Sequence, residues 1–182
     1  RVLFRSTQRN FYNTFVGYKT GQYSLNSVES IYVGFEAGLR LNGSNNIMVG
    51  RNYEDGLTET SYNAISIGRN NRTKNNSVSI GIYNYNLGFQ NSLIGNNNTL
   101  VGNDSVSYGN DNYFYNTDQF AAIGYKNIGS NLFSSLLLGS SNLSSNLLSS
   151  LVIGNNNTTY SCSNVIVIGN GNTIPQSSNS IY

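Results

Sequence analysis

The chain repeats one short pattern of apolar and polar positions. In residues 76–98, NSVSIGIYNYNLGFQNSLIGNNN, two or three apolar or small residues precede a glycine, and an asparagine follows three places later. Self-similarity at a short period is typical of stacked repeats. The pattern predicts an all-β, parallel β-roll solenoid of about eleven coils, each 13–18 residues long. The repeated glycines are Gly17, Gly34, Gly50, Gly68, Gly81, Gly95, Gly109, Gly124, Gly139, Gly154 and Gly169.

The coil length indicates a roll with two sides. A coil of about 14 residues at ~3.3 Å per residue has a contour near 50 Å, enough for two strands of about five residues and two turns. The first strand is the run of branched apolar residues before each glycine. The second strand, after the asparagine, shows no clear alternation, and its inward residues are not assigned.

Alternation within the first strand predicts which residues face inward. The residue immediately before each glycine is nearly always branched and apolar, as at Ile80 and Ile94, and we expect it in the interior. The residue two places before the glycine should then face outward. Three consecutive outward positions are apolar, and an exposed apolar stripe marks an interface. We therefore expect a trimer seam at Leu137, Val152 and Val167.

An asparagine stands three places after each glycine from Gly68 onward. Asparagine and glycine tolerate left-handed backbone conformations, so the pair predicts one recurrent turn at one corner of every coil. Asparagine side chains stacked in register can hydrogen-bond to one another along the column. The predicted turn ladder consists of Asn71, Asn84, Asn98, Asn112, Asn127, Asn142, Asn157 and Asn172.

The repeat divides the chain into four segments. Residues 1–12 form an N-terminal lead-in, and residues 13–67 carry irregular, aromatic-rich repeats. Residues 68–174 carry the regular Gly-x-x-Asn repeats, and residues 175–182 form a C-terminal tail. We expect residues 13–174 to be one continuous solenoid domain.

Composition favours association of the chain with copies of itself. Only 10% of residues are charged, and asparagine and serine make up roughly a third of the chain. The clustering of the apolar residues before each glycine argues against disorder. A thin roll buries little apolar area per residue while paying the full ordering cost, and a single cysteine cannot form an intrachain disulfide. We therefore expect the chain to associate with copies of itself.

Charge is small overall but uneven. The net charge is +2, with +4 in residues 1–75 and −2 in residues 76–182. This is too little for a nucleic-acid partner. The basic residues Arg69, Arg72 and Lys74 are interpreted as a solvated rim, with a phosphate or glycan site as the alternative. No apolar run approaches the ~18 residues of a membrane span, so we expect no membrane insertion by this segment.

Two sets of residues resemble known repeats. The stretch SIGRNNRTKNNSVSIG (66–81) is similar to the head repeats of trimeric autotransporter adhesins. The units NTFVGYKTG (13–21) and SIYVGFEAG (30–38) resemble the NTxxGYxAG repeats of phage and large-virus tail or fibre proteins. The resemblance implies a left-handed parallel β-roll of three intertwined chains that binds host matrix or cell surfaces.

Catalytic and metal chemistry find little support. The chain has no histidine, and the left-handed β-helix acyltransferases have an 18-residue coil and a histidine base, so an enzyme is not expected. The only acidic cluster is Glu54, Asp55 and Glu59, and no regular aspartate column exists for a calcium roll. We predict no metal and no cofactor. An ice-binding solenoid, which would show threonine columns, is a remote alternative.

Aromatic residues outside the repeat columns are the candidate ligand contacts, because tyrosine is favoured at interfaces. They are Tyr83, Tyr85, Tyr113, Phe114 and Tyr115. The expected function is a structural and adhesive surface-fibre segment that attaches to host cells, glycans or matrix. The alternative is a receptor-binding or purely structural spacer of a viral or phage fibre. The expected location is extracellular, at a cell surface or a virion surface, and the expected partners are the homotrimer and a cell-surface glycan or protein.

Overall fold

The computed structural model of the chain describes residues 12–24, 26–39, 41–51 and 60–182. These residues form a parallel β-solenoid of about eleven turns without any helix, which confirms the predicted fold class. No helix that could cross a membrane is found among them. All of the predicted lead-in except Tyr12, together with the acidic cluster Glu54, Asp55 and Glu59, lies outside the described residues.

The strands alternate between two faces, and strands of successive coils pair in parallel on their own face; β2 and β4 pair only with each other, in a separate two-stranded sheet. The first face contains β1 (Thr14–Val16), β3 (Ile31–Val33), β5 (Ile47–Arg51), β6 (Ile65–Arg69), β8 (Val78–Ile82), β10 (Ser92–Asn96), β12 (Val106–Asn110), β14 (Ala121–Tyr125), β16 (Leu136–Ser140), β18 (Leu151–Asn155) and the end of β19 (Thr158–Asn170). The second face contains β2 (Ser27–Val28), β4 (Gly43–Ser44), β7 (Arg72–Thr73), β9 (Tyr85–Phe89), β11 (Thr99–Asn103), β13 (Tyr113–Asp118), β15 (Ile128–Phe133), β17 (Leu143–Leu148), the start of β19 and β20 (Thr173–Ile181).

A β-bulge explains why the period changes from 14 to 15 residues. Val101 pairs with Tyr115 but Gly102 pairs with Thr117, so Asn116 is an extra residue in β13. Asn116 has a left-handed backbone, with φ 55°. The following coils keep the extra residue, as Asn131 and Asn146. The Asn116 amide donates to the Asn131 side-chain oxygen at 2.6 Å, and the Asn131 amide donates to that of Asn146 at 2.9 Å.

The interior is the reverse of the predicted alternation. The residues two places before the glycines are buried, whereas the residues immediately before them lie at the surface, with Ile94 38% and Ile168 57% exposed. A shift of one residue moves a whole strand pattern to the other face. The buried column is Phe15, Tyr32, Met48, Ser66, Ser79, Leu93, Ser107, Ala122, Leu137, Val152 and Val167.

The predicted trimer seam is therefore wrong. Leu137, Val152 and Val167 lie within the core of a single chain and have no exposed surface to offer a partner. The prediction failed because the buried column includes serines at its middle coils, which made it look like a solvent face.

The second face supplies the complementary half of the core. Its inward column runs through Asn86, Leu100, Phe114, Gly129, Ser144, Thr159 and Ile174. Where the first face offers a serine, the second face fills the space: the Asn86 amide donates to the Ser79 hydroxyl at 3.4 Å. Position 129 requires a glycine, because a Cβ there would lie 3.1 Å from the Phe114 ring and 2.5 Å from the Leu132 side chain.

The predicted C-terminal tail belongs to the solenoid. Residues of β20 pair with β19 as far as Ile181, which lies beside Ile166. The Tyr182 N–H donates to the Ile166 carbonyl at 2.8 Å, and Tyr182 accepts from the Ile168 N–H at the same distance. Residues 175–182 therefore extend the last described coil.

The repeated glycine is a geometric requirement of the stack. From Gly17 to Gly169 the repeated glycines have φ between +114° and +146°. A Cβ added to any of them up to Gly154 would lie 1.7–2.0 Å from the carbonyl oxygen of the glycine in the next coil. No side chain fits in that space, and L residues rarely adopt this backbone conformation.

We predict that Gly95→Ala lowers the free energy of unfolding by at least about 3 kcal/mol, because strain and collision with the Gly109 carbonyl act together. Gly171→Ala is the control, since Gly171 has φ +70° but nothing within 4 Å of an added Cβ; it should cost about 1 kcal/mol. Urea unfolding followed by circular dichroism at one protein concentration measures both. Equal shifts would contradict the explanation.

Candidate functional site

The asparagine ladder runs through the first corner of the coils. Each amide nitrogen from Asn84 to Asn172 donates to the side-chain oxygen of the ladder asparagine one coil earlier, at 3.0–3.2 Å. The same oxygen accepts the backbone N–H of the following ladder residue. From Asn71 to Asn157 the amide also donates to the glycine carbonyl of the next coil, at 2.6–2.9 Å. Both donors and the acceptor of each internal amide are thus used.

The left-handed residue of this corner is not the asparagine itself but the residue before it. Asn97 and Lys126, for example, both have φ 54°. The ladder asparagine is needed for its side chain, and the left-handed position can hold tyrosine, aspartate, lysine or serine at a cost of roughly 1 kcal/mol. In the first coil Thr20 replaces the asparagine, and its hydroxyl donates to the Gly34 carbonyl at 2.8 Å.

A second polar column, which sequence reasoning missed, stands at the other corner. Its side-chain oxygens accept backbone N–H groups of the next coil. The Ser77 hydroxyl accepts the Asn91 N–H at 3.1 Å, and the Asn91 side-chain oxygen accepts the Ser105 N–H at 3.0 Å. The signal that could have revealed it is a small polar residue four places before the glycine. That position is held by Ser30, Asn46, Ser77, Asn91, Ser105, Ser135 and Ser150.

The outer surface of the first face is an apolar wall, made by the residues one and three places before each glycine. With few exceptions they are Ile, Val or Leu, and none of them is charged. Over eleven coils the wall is about 50 Å long and ~13 Å wide, roughly 650 Å², at or above the largest apolar patch of a typical monomer. Its most exposed members are Val16, Ile31, Val49, Ile67, Ile80, Ile94, Ile123 and Ile168.

The structure separates the predicted ligand contacts. Phe114 is fully buried and packs on Phe120, with ring centroids 4.7 Å apart, so it cannot touch a ligand and that prediction is wrong. Its position two residues from a bulge could not be deduced from the pattern. The other four predicted contacts are exposed tyrosines: Tyr83, Tyr85, Tyr113 and Tyr115.

Three of these tyrosines share the second face. Tyr85 and Tyr113 occupy one column with Thr99 between them, and Tyr115 lies in the next column above Val101. Tyr83 lies at the tip of the first corner, two residues before Tyr85.

Basic and apolar residues adjoin the tyrosines on the second face. Arg72 lies directly below Tyr85 in the strand ladder. Its guanidinium stands over the Tyr85 ring, 4.9 Å from the centroid, and donates to the Tyr85 hydroxyl. A groove of about 520 Å³ opens beside them, lined by Lys74, Asn75, Leu87, Gly88, Phe89, Val101, Gly102 and Asn103.

Among the described residues, Tyr32 and Lys126 have shifted pKa values. Burial raises the pKa of Tyr32, whose hydroxyl lies near Ser27. A hydrogen bond with Tyr125 raises the pKa of Lys126, which is fully exposed. Neither lies at the groove. Within the described ranges no three His, Cys, Asp or Glu side chains are grouped to hold a metal ion.

A scan against protein-family models and a search of curated proteins found no match to this chain. We therefore infer function from the solenoid geometry and from the surfaces it presents.

We predict that Asn112→Ala lowers the free energy of unfolding by about 2–4 kcal/mol, because it leaves the Gly124 carbonyl and the Asn98 and Asn127 groups without their partner. Asn96→Ala is the control. Asn96 is exposed, and its side chain bonds only at the surface, donating to Asn110 and accepting the Ile82 N–H, so its loss should change stability by no more than about 0.5 kcal/mol. Urea midpoints compare the two variants, and an equal loss from both would show that the buried ladder has no special role.

Proposed function

We propose that this chain is a structural and adhesive segment of a surface fibre, which displays a rigid β-roll for attachment to host cells, glycans or matrix. The observation that carries the proposal is the unbroken glycine column, in register from Gly50 to Gly169. Ten steps of ~4.8 Å from the first repeated glycine to the last make a rod about 48 Å long. A rod of identical steps suits display and attachment, and in this proposal the chain is not an enzyme.

The resemblance to trimeric autotransporter adhesin heads supports an extracellular location at a cell surface. The resemblance of the early aromatic repeats to viral and phage fibre proteins supports the second candidate, a receptor-binding or spacer segment at a virion surface. Both candidates use the same rod.

The proposed assembly is a homotrimer built through the apolar wall. The wall is uncharged along its length, and roughly 650 Å² per chain approaches the ~800 Å² that each partner buries in a stable interface. Copies of the same chain are suitable partners, because an equally long and equally apolar strip is needed to cover it. The number three and the left-handed winding come from the resemblance and stay predictions.

We predict that light scattering of the folded chain gives three times its mass of 19.9 kDa, and that Ile94→Lys shifts it to one chain mass. A lysine in a closed apolar seam is desolvated without a partner. Leu143→Lys is the matched control, since Leu143 is 39% and Ile94 38% exposed but they lie on opposite faces.

A wild-type monomer would refute the assembly. Dissociation by Leu143→Lys alone would place the seam on the second face. Val152→Asp should unfold the chain, because Val152 is a core residue.

We predict that beads coated with the chain attach to at least one type in a panel of animal and bacterial cells, and that Tyr113→Ser with Tyr115→Ser reduces attachment severalfold through loss of exposed aromatic contacts. Thermal stability and mass should stay near wild type, because both rings are more than half exposed. Tyr125→Ser, at an exposed tyrosine of the first corner, is the control. Attachment that Tyr125→Ser weakens equally would not use the second face, and attachment to no cell type would favour the spacer.

A further inference from the structure

The groove on the second face lies along β9 and β11, before the bulge in β13. Gly88 and Gly102 stand at equivalent positions of β9 and β11, and both line the groove. In the next coil Thr117 occupies this position, beyond the bulge at Asn116. The volume of about 520 Å³ is within the usual size of small-ligand sites.

The lining combines apolar surfaces with polar groups at the rim. Phe89, 53% exposed, together with Leu87 and Val101, supplies the apolar side. Lys74, Asn75 and Asn103 supply the polar groups. This mixture fits a ligand that has both apolar and hydroxyl-bearing faces.

The two rim amides are held in fixed orientations. The Asn75 side-chain oxygen accepts the Tyr62 N–H at 2.9 Å, and the Asn103 side-chain oxygen accepts the Phe89 N–H at 3.1 Å. With both oxygens engaged, the NH2 groups are the donors that these residues offer a ligand. Donors of this kind suit hydroxyl and carboxylate oxygens.

The charges around the groove are distributed unevenly along the solenoid axis. Lys74 and Arg72 lie in the coil below Leu87 and Tyr85, on the N-terminal side. On the C-terminal side, Asp104 follows Asn103 and Asp118 pairs with Asn103 in the strand ladder. An anionic group in the groove is therefore attracted toward Lys74 and repelled from the aspartates.

We propose that this groove binds an acidic sugar unit of a glycan, with its carboxylate or sulfate toward Lys74 and its ring against Phe89. This deepens the proposed adhesive function and rests on it. Two cations are too few for nucleic acid, whose binders commonly make 6–10 phosphate contacts, or for a membrane surface, which takes clusters of 4–8. Arg72 also covers the Tyr85 face on which a base would stack.

The position of the groove agrees with the proposed assembly. The groove opens on the second face, whereas the apolar wall occupies the first. Three chains joined through their walls would carry three grooves on the outside, and repeated sites on one rigid body raise the avidity for a polymeric ligand.

The test is isothermal titration of the full chain with a uronic-acid oligosaccharide, a sulfated oligosaccharide of the same length, and the uronic-acid oligosaccharide reduced to its neutral form. Binding is expected for at least one acidic oligosaccharide, which identifies the anionic group, and not for the neutral one. Lys74→Gln should weaken binding roughly five- to tenfold, and Phe89→Ala should also weaken it. Lys126→Gln is the matched control, because it removes the same charge from an exposed lysine at the first corner, where Lys126 stands over the Tyr125 ring and away from the groove. Asp104→Asn should leave affinity unchanged or raise it.

Equal binding of the neutral oligosaccharide, or equal effects of Lys74→Gln and Lys126→Gln, would overturn the proposal. Oligothymidylate and vesicles of phosphatidylserine serve as competing probes, and binding to either of these alone would replace the sugar assignment. Circular dichroism of each variant verifies the fold. If cells bind the chain but no acidic oligosaccharide does, the groove assignment fails while the adhesive function stands; if neither binds, both fail.

Discussion

The solenoid depends on one contact, the hydrogen bond from a ladder amide to the glycine carbonyl of the next coil. The Asn98 side-chain amide, for example, donates to the Gly109 carbonyl and to the Asn84 side-chain oxygen. The Asn98 side-chain oxygen in turn accepts the Asn112 backbone N–H. The carbonyl can come this close only because Gly95, whose Cβ would collide with it, has none. Glycine and asparagine therefore act together, and the spacing between them fixes the height and register of the coils from Gly68 onward.

A frame built from buried amides is stable only when every polar group is paired, since an unpaired buried group costs more than a paired one gains. The ladder meets this condition by repetition, because each amide meets the same partners one coil later. The second corner uses serine hydroxyls and the Asn46 and Asn91 amides in the same way. Both corners of the thin roll are thus held by polar columns, while side chains that are mostly apolar, with polar members such as Ser79 and Asn86, fill the space between the faces.

Once the frame is fixed, the outward positions are free to differ. On the first face they form a continuous apolar wall, and on the second face they form a mixed surface of tyrosine, lysine, arginine and aspartate around the groove. The difference between the faces matters for function, because one surface suits a long identical partner and the other suits a small, chemically distinct one. A single chain can in this way provide for both assembly and recognition.

The sequence by itself determined the all-β class, the number of coils and the positions of the glycine and asparagine columns, because these follow from a local repeat that stacking only copies. It did not determine which side of the first strand faces inward. Ile80 and Ile94 are more apolar than Ser79, yet Ser79 is inside, because the core is filled jointly by two faces and Asn86 takes the space that the serine leaves. Likewise only the stacked structure places Phe114 in the core and brings Lys74, Phe89 and Asn103 around one groove, since those residues belong to different coils and meet only through the register of the second face.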